Sequence, residues 1–212
     1  MRNNLLPISR EGWNYIAYSL GLFILSMLLG FTILAFVFFV STALLSYLFR
    51  NPEREPGVFE ENSVVSPVDA VVIAIQEIND AQYFYKLTLE SRYLDVSVLR
   101  VPFSAKVESK EISHGARLCL KSSLAQKINE NMSLVFKGKY ENTMKIKHRV
   151  TQSFCGIKID SMNERNVLQS RRYGVMINGI SELYFPKNFR LNITIGDEVK
   201  ASQTLLGYFS LK

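Results

Sequence analysis

Residues Asn14–Phe49 read NYIAYSLGLFILSMLLGFTILAFVFFVSTALLSYLF, and none of these 36 side chains carries a charge. An apolar run of this length predicts helices within a membrane. One continuous helix would be roughly 54 Å long, whereas the hydrocarbon core of a bilayer is about 30 Å thick. We therefore predict a hairpin of two helices, each of roughly 17 residues, that turns at Gly30.

Arginines flank the uncharged run on both sides. Arg2 and Arg10 precede it, and Arg50 and Arg54 follow it. Because positive residues favour the cytoplasmic side, both ends are expected there, whether the hairpin spans the bilayer or re-enters one leaflet. Arg50 and Arg54 are candidates for binding lipid phosphate at the interface, or they only stop insertion. A buried hairpin of a soluble protein fits less well, since Phe36–Val40 leaves no polar face.

The composition of the remaining chain limits the classes of partner that it is expected to bind. Residues 50–212 suffice for one domain, and the formal net charge of +6 favours contact with anionic phospholipids. No zinc spacing, helix-turn-helix pattern or RNA motif supports nucleic acid as a partner. Cys119 and Cys155 are isolated and apolar in context, which predicts buried thiols in a reducing compartment. We expect no metal site, and we expect His114 and His148 to be structural or exposed.

After the hairpin, apolar residues alternate with period two, which predicts a mainly β domain, a sandwich or barrel-sandwich, over residues 50–212. The expected strands are Val71–Ile75, Phe84–Leu89, Leu94–Leu99, Met144–Val150, Gly174–Ile177, Leu183–Phe185, Leu191–Ile195 and Leu205–Phe209. Only Leu118–Asn129 is a candidate for a further helix. The segment Gly196–Lys200 resembles the closing turn of lipoyl and biotinyl carriers, but the attachment lysine of those domains is absent.

Seven motifs follow one another along the chain: Arg10–Trp13, Phe49–Arg54, Val65–Ala70, Asp95–Pro102, His114–Arg117, Arg172–Met176 and Tyr184–Pro186. Their order resembles the short, membrane-anchored form of phosphatidylserine decarboxylase. The family patterns read Phe-Phe-Arg-Asp-Pro-x-Arg, Ser-Pro-Ala-Asp-Gly and Asp-Val-His-Val-Asn-Arg-x-Pro. The resemblance covers nearly the whole chain and implies a bacterial protein of phospholipid metabolism at the inner membrane, with its soluble domain on the cytoplasmic face.

The resemblance also implies a chemistry. In this family a serine hydroxyl attacks the carbonyl of the preceding glycine, the ester eliminates, and a pyruvoyl group caps the new chain. That group forms a Schiff base with phosphatidylserine and withdraws electrons as carbon dioxide leaves. An aspartate and a histidine activate the serine, because a hydroxyl is a poor nucleophile until a base takes its proton.

The positions that match this site are mostly changed. Asp69 matches the family aspartate, but the histidine falls on Ser97, and the Gly-Ser pair falls on Asn178–Gly179. Gly179 has no side chain from which a pyruvoyl group can form. Asn178–Gly179 also fits a type I′ hairpin turn. A shifted alignment offers Ser181, which follows Ile180 instead of a glycine.

Two functions follow from the resemblance. The first is a catalytically inactive relative that is not self-processed and has no cofactor. It would bind membrane phospholipid or act as a regulatory protein. Its partner would be a second copy of itself or an active decarboxylase. The second is a divergent enzyme that makes phosphatidylethanolamine with a pyruvoyl group formed at Ser181.

Overall fold

The uncharged run forms two helices. A computed structural model describes residues 6–54, 57, 59–78, 80–119, 123–139, 142–159 and 166–210. Helix α1 is Trp13–Leu28 and follows a 3-10 turn at Arg10–Gly12, and helix α2 is Thr32–Leu48. Gly30 lies between them with φ of +74°, a conformation that glycine adopts without a steric cost. The helical hairpin and its turn are thus confirmed.

The two helices bury small and polar side chains against each other. Ser19 and Ala35 are buried, and the hydroxyl of Thr42 donates to Ser19 Oγ at 2.9 Å. Large apolar side chains lie outside, such as Ile33, which is 85% exposed, and Phe36, which is 67% exposed. Among the described residues, no helix combines the length and apolar character needed to cross a bilayer.

The chain divides into two compact units, Met1–Glu53 and Arg54–Lys212. The second, which we call the β unit, contains fourteen strands and one short helix among its described residues, so the prediction of a mainly β chain is confirmed. The strands are β1 (Ser63–Val65), β2 (Ala70–Glu77), β3 (Tyr85–Ser91), β4 (Val98–Arg100), β5 (Ala105–Ser113), β6 (Asn131–Lys137), β7 (Thr143–Val150), β8 (Lys158–Ile159), β9 (Asn166–Val167), β10 (Arg172–Val175), β11 (Gly179–Phe185), β12 (Phe189–Leu191), β13 (Glu198–Val199) and β14 (Leu205–Phe209). Helix α3 is Ser123–Ile128.

Eight strands form one antiparallel sheet in the order β13-β2-β3-β11-β7-β6-β5-β9. Two smaller antiparallel sheets have the orders β1-β14-β12 and β4-β10-β8. All three sheets share one core. Tyr173 of β10 packs against Phe136 of β6, and Phe189 of β12 stacks on Phe185 of β11 with ring centroids 4.0 Å apart.

Strand β11 lies near the middle of the large sheet. It pairs with β3 along its whole length and with β7 from Gly179 to Tyr184. Its inward residue Leu183 is fully buried between Leu87 and Ile146, its partners on the two neighbouring strands. Strand β11 therefore links the hydrophobic core to Asn178–Gly179, where the resemblance places the cleavage site.

Two predicted strands are largely wrong, and side-chain hydrogen bonds explain both. The segment Leu94–Leu99 is extended only from Val98, because the Asp95 carboxylate accepts the Arg92 N–H at 2.7 Å and closes a turn. Beyond Leu191 the chain also turns, since Asp197 accepts hydrogen bonds from both N–H and hydroxyl of Thr194.

Other differences concern burial and length. Cys155 is buried as predicted, but Cys119 is exposed. The predicted helix Leu118–Asn129 is reduced to α3. Strand β5 was not predicted, because most of its residues are exposed and polar and therefore do not alternate. Strands β8, β9 and β13 have only two residues each, which is too short for a periodic signal.

Candidate active site

Five neighbouring strands of the large sheet end or begin at one edge, which we call the site edge. Gly179 at the start of β11 pairs with Ser91 at the end of β3 and with Val150 at the end of β7. Strand β6 begins and β5 ends at the same edge, where Asn131 pairs with Ser113. The loops that leave this edge carry the positions that the sequence singled out.

Asp69 lies immediately before β2 and forms an ion pair with Arg54. Both guanidinium NH groups donate to the carboxylate, and Arg54 also donates to the carbonyl of Ala201 at 2.9 Å. The backbone N–H of Ala201 donates in turn to Asp69 Oδ1 at 2.8 Å. Two family motifs thus meet in one bidentate contact, which aligns both groups. The structure assigns Arg54 to this contact, a role that the sequence analysis did not foresee.

Two further arginines lie near this pair. Arg100 and Arg172 are buried and are register partners between β4 and β10. The pKa of Arg100 is lowered, first by burial and then by the positive charges of Arg54 and Arg172, while Asp69 opposes the shift. The carboxylate of Asp69 thus lies beside the guanidinium group of Arg54 and within electrostatic reach of that of Arg100.

Arg50 belongs to the helical unit. Its guanidinium lies 3.9 Å from the centroid of the Tyr47 ring and donates to the Tyr47 carbonyl at 3.0 Å. A cation at the last carbonyls of α2 interacts favourably with the helix dipole. This contact orients Arg50 at the base of the hairpin.

Ser97 and Asp69 both lie beside the chain that enters β11. The carbonyl of Ser97 accepts the N–H of Met176 at 2.8 Å. Ser91, the cross-strand partner of Gly179, donates its hydroxyl to the carbonyl of Asp69 at 2.8 Å. The structure therefore brings the three matched positions together at the site edge.

The prediction of a type I′ hairpin at Asn178–Gly179 is wrong. Asn178 has φ of +54°, but Gly179 does not have a positive φ and is already the first residue of β11. Strands β10 and β11 belong to different sheets, so the segment is a crossover between sheets. Asn178 accepts the N–H of Thr151 through its carbonyl at 3.1 Å.

Gly179 has no space for a side chain. A Cβ atom at this position would lie 2.7 Å from the carbonyl oxygen of Arg149 and 2.7 Å from the sulfur of Met176. Because the Arg149 carbonyl belongs to the paired strand β7, it cannot move without disturbing the sheet. The structure therefore requires glycine here.

Ser181 belongs to a buried chain of three polar side chains. Its Oγ lies 2.7 Å from His148 Nδ1, and His148 Nε2 lies 2.6 Å from the Tyr173 hydroxyl. Ser181 and His148 are both fully buried and are direct register partners on β11 and β7. A neutral imidazole donates from one nitrogen and accepts at the other, so each of the three side chains has a hydrogen-bond partner.

Burial keeps the members of this chain neutral. The pKa of His148 is lowered to about 3 by burial, and burial also raises the pKa of Tyr173. The same burial disfavours a protonated imidazole, so His148 is a weak base beside Ser181. Sequence reasoning overlooked this pairing, although one signal was available: His148 alternates with Ile146 and Val150 on the inward face of β7.

A model of the phosphatidylserine decarboxylase family matches residues 41–207. The chain belongs to this family. Among its relatives, the phosphatidylserine decarboxylase proenzyme of Geotalea uraniireducens is 32% identical, over 98% of this chain and 99% of the relative. The proenzymes of Geotalea daltonii and Desulfotalea psychrophila are 31% and 29% identical, over 98% and 95% of this chain and 99% and 96% of their own. No solved structure gives a significant match.

The family uses a pyruvoyl group formed by self-cleavage. The residues at Asn178–Gly179 do not fit this group, since Gly179 has no hydroxyl and no space for one. At Ser181 a hydroxyl and a neighbouring imidazole are present, but the Ile180–Ser181 peptide lies inside a strand that is paired on both sides. Within the described residues, no three His, Cys, Asp or Glu side chains are grouped to hold a metal ion.

We expect His148 to make the protein less stable in mild acid. The folded pKa is about 3, whereas histidine in an unfolded chain titrates near 6.5, so the unfolded state binds more protons between these values. The free energy of unfolding should therefore fall by roughly 1 kcal/mol per pH unit as the pH drops below about 6.5. Urea denaturation of the full chain at several pH values measures this slope. His148→Gln should flatten it, and the matched variant of the exposed His114, His114→Gln, should not; the same slope in all three proteins would contradict the assignment.

We expect the Arg54–Asp69 contact to contribute more stability than an exposed ion pair. Arg54→Gln leaves a largely buried carboxylate without its cation and should lower the free energy of unfolding by about 3 kcal/mol. The matched control is Lys139→Gln, which breaks an ion pair with Glu61 whose side chains are 70% and 73% exposed. That change should cost at most about 1 kcal/mol. Equal losses in urea denaturation would show that burial does not distinguish the two pairs.

Proposed function

We propose that this chain is an unprocessed member of the phosphatidylserine decarboxylase family, which binds phospholipid at a membrane and has a regulatory role instead of decarboxylase activity. The main support for this proposal is the lack of space for a side chain at Gly179. The family serine matches a position that the Arg149 carbonyl and Met176 close to any side chain. Ser97, at the position of the family histidine, cannot act as a base at neutral pH.

The site nevertheless keeps its frame. Arg54 and the backbone N–H of Ala201 hold the Asp69 carboxylate. The carbonyl of Ser97 still accepts the N–H of Met176, three residues before Gly179. A site that keeps its architecture without its nucleophile is able to recognise a phospholipid without reacting with it. An active decarboxylase or a second copy of this chain is the protein partner that we propose.

The helical unit supports a membrane location. Within the helices, Ser19, Ser26 and Ala35 are buried, whereas Phe36 and Ile33 face outward; Leu48, at the end of α2, is the one large apolar residue of the two helices that is buried among the described residues. Membrane helices pack through small and hydrogen-bonding residues in this way, because lipid already solvates their large apolar side chains. We propose that the hairpin enters the cytoplasmic membrane of a bacterium and holds the β unit on the cytoplasmic side.

The hydrogen bond between His148 and Ser181 favours a second candidate, a divergent decarboxylase. His148 Nδ1, 2.7 Å from Ser181 Oγ, would accept the hydroxyl proton as Oγ attacks the carbonyl carbon of Ile180. The Ile180–Ser181 C–N bond would break as the ester forms, and β-elimination would release chain 1–180 with a terminal carboxylate. Water would then convert the dehydroalanine at the start of chain 181–212 to a pyruvoyl group with loss of ammonia. We rank this candidate second because the carbonyl lies in a regular strand whose two neighbours hold it in place.

Intact-mass spectrometry decides between the two candidates. We expect one chain of 24.2 kDa and no release of carbon dioxide from phosphatidylserine vesicles. Gly179→Ser should not start cleavage and should lower the free energy of unfolding, because the added side chain meets the Arg149 carbonyl. A fragment that begins at residue 181 with a pyruvoyl cap, lost in Ser181→Ala but kept in Ser97→Ala, would overturn the unprocessed assignment.

Vesicle flotation of the full chain tests the membrane location. We compare Val40→Asp, in the middle of α2, with Trp13→Asp, at the first residue of α1; the two residues are 48% and 49% exposed. A charge deep in a bilayer costs roughly 3 kcal/mol, so Val40→Asp should weaken partitioning on the order of a hundredfold, and Trp13→Asp much less. Identical flotation of both variants and the unaltered chain would show that the hairpin does not enter the bilayer.

A further inference from the structure

Exposed large apolar side chains of the β unit are concentrated at the site edge. Eleven such side chains occur among its described residues, and six of them lie on the loops and the short helix α3 of this edge. We call these six the apolar rim: Tyr93, Leu94, Leu118, Leu124, Ile128 and Phe154. Leu94 is 61% exposed and Leu124 is 58% exposed. Scattered exposed apolar residues are ordinary, but their concentration on one edge indicates an interaction surface.

Hydrogen bonds fix the loops of the apolar rim to one another. The carbonyl of Gln152 accepts the hydroxyl of Tyr93 and, at 3.3 Å, the side-chain amide of Asn178. The N–H of Gln152 donates to the Leu118 carbonyl at 3.4 Å, and Arg117 donates to the Phe154 carbonyl at 2.7 Å. The rim therefore surrounds the entry to β11 as a connected surface.

The charges on these loops favour an anionic partner. Arg92, Arg117 and Lys127 are exposed between the rim residues. On the described parts of these loops the two acidic groups are engaged: Asp95 accepts the backbone N–H of Arg92, and Glu130, whose side chain is 9% exposed, lies 4.0 Å from Arg117 and 3.6 Å from His114. Leucines and aromatic rings interleaved with cations suit a bilayer interface, where rings sit at headgroup level and cations attract anionic lipids.

We propose that the apolar rim rests on the surface of a bilayer that contains anionic phospholipid. The contact adds to the membrane location proposed for the helical hairpin, and it rests on that proposed function. It directs the Asn178–Gly179 crossover and Ser97 toward lipid headgroups. A second copy of this chain is the competing occupant of the rim.

Cys119 is a native position for a probe of this contact. It is exposed and follows Leu118 of the rim, whereas Cys155 is buried and does not compete for labelling. An environment-sensitive fluorophore on Cys119 of the full chain should shift its emission to shorter wavelength when vesicles of equal parts phosphatidylcholine and phosphatidylglycerol are added. Nitroxide-labelled acyl chains should quench it.

The control places the same fluorophore at the opposite end of the sheet. Lys187→Cys in a Cys119→Ser background labels an exposed residue just beyond the end of β11, and its emission should not change. Lys127→Gln in the Cys119-labelled chain removes one rim cation and should raise the lipid needed for half-maximal shift by roughly fivefold. Vesicles of phosphatidylcholine alone should give a weaker shift.

Three outcomes would overturn the proposal. If vesicles bind the chain but the Cys119 probe does not shift, the rim does not touch lipid, while the hairpin proposal stands. If the Lys187→Cys probe shifts equally, contact is not specific to the rim. If the Cys119 probe shifts without vesicles as the protein concentration rises, the occupant is a second copy of this chain.

Discussion

The pairing of β11 on both of its sides constrains the rest of the β unit. The strand takes its register from Ser91 of β3 and Val150 of β7, and its inward residues Leu183 and Phe185 are fully buried in the core. Gly179 lies where this pairing begins, directly under the Arg149 carbonyl. A side chain at that position would separate two central strands. The close pairing of these strands therefore excludes the serine that the family chemistry uses.

Two groups of buried polar side chains in the β unit are held by hydrogen bonds or an ion pair. His148 and Ser181 occupy inward positions of neighbouring strands, and together with Tyr173 they form a neutral hydrogen-bonded chain. Asp69 and Arg54 form the second group, an ion pair. Burying a polar group without a partner costs several kcal/mol in an apolar medium, so these contacts specify one arrangement of the sheets. The contact between Ser181 and His148 is the same whether it stabilises the core or activates Ser181 for cleavage. The mass of the chain therefore distinguishes an unprocessed protein from a self-cleaved enzyme, and this contact does not.

Sequence patterns predicted several elements that depend on local periodicity, although β6 was not among the predicted strands despite its alternating burial. The hairpin at Gly30 and the strands around Val72, Leu87 and Ile146 follow from runs that either lack charge or alternate strictly. The failures have local causes as well: Asp95 and Asp197 form side-chain turns that interrupt otherwise strand-like stretches. At the site, the sequence identified Asp69, Ser97 and Asn178–Gly179 as a group, but it gave neither the Arg54 partner nor the His148–Ser181 contact.

The amino-acid sequence by itself determined the family, the helical hairpin and the mainly β character, because order of motifs and hydrophobic period are properties of neighbouring residues. Only the tertiary structure decided what surrounds each site residue. Ser181 and His148 are 33 residues apart and meet through strand register, and the loops of the apolar rim meet because five strands end together. Contacts of this kind depend on long-range pairing, so no local pattern of residues encodes them.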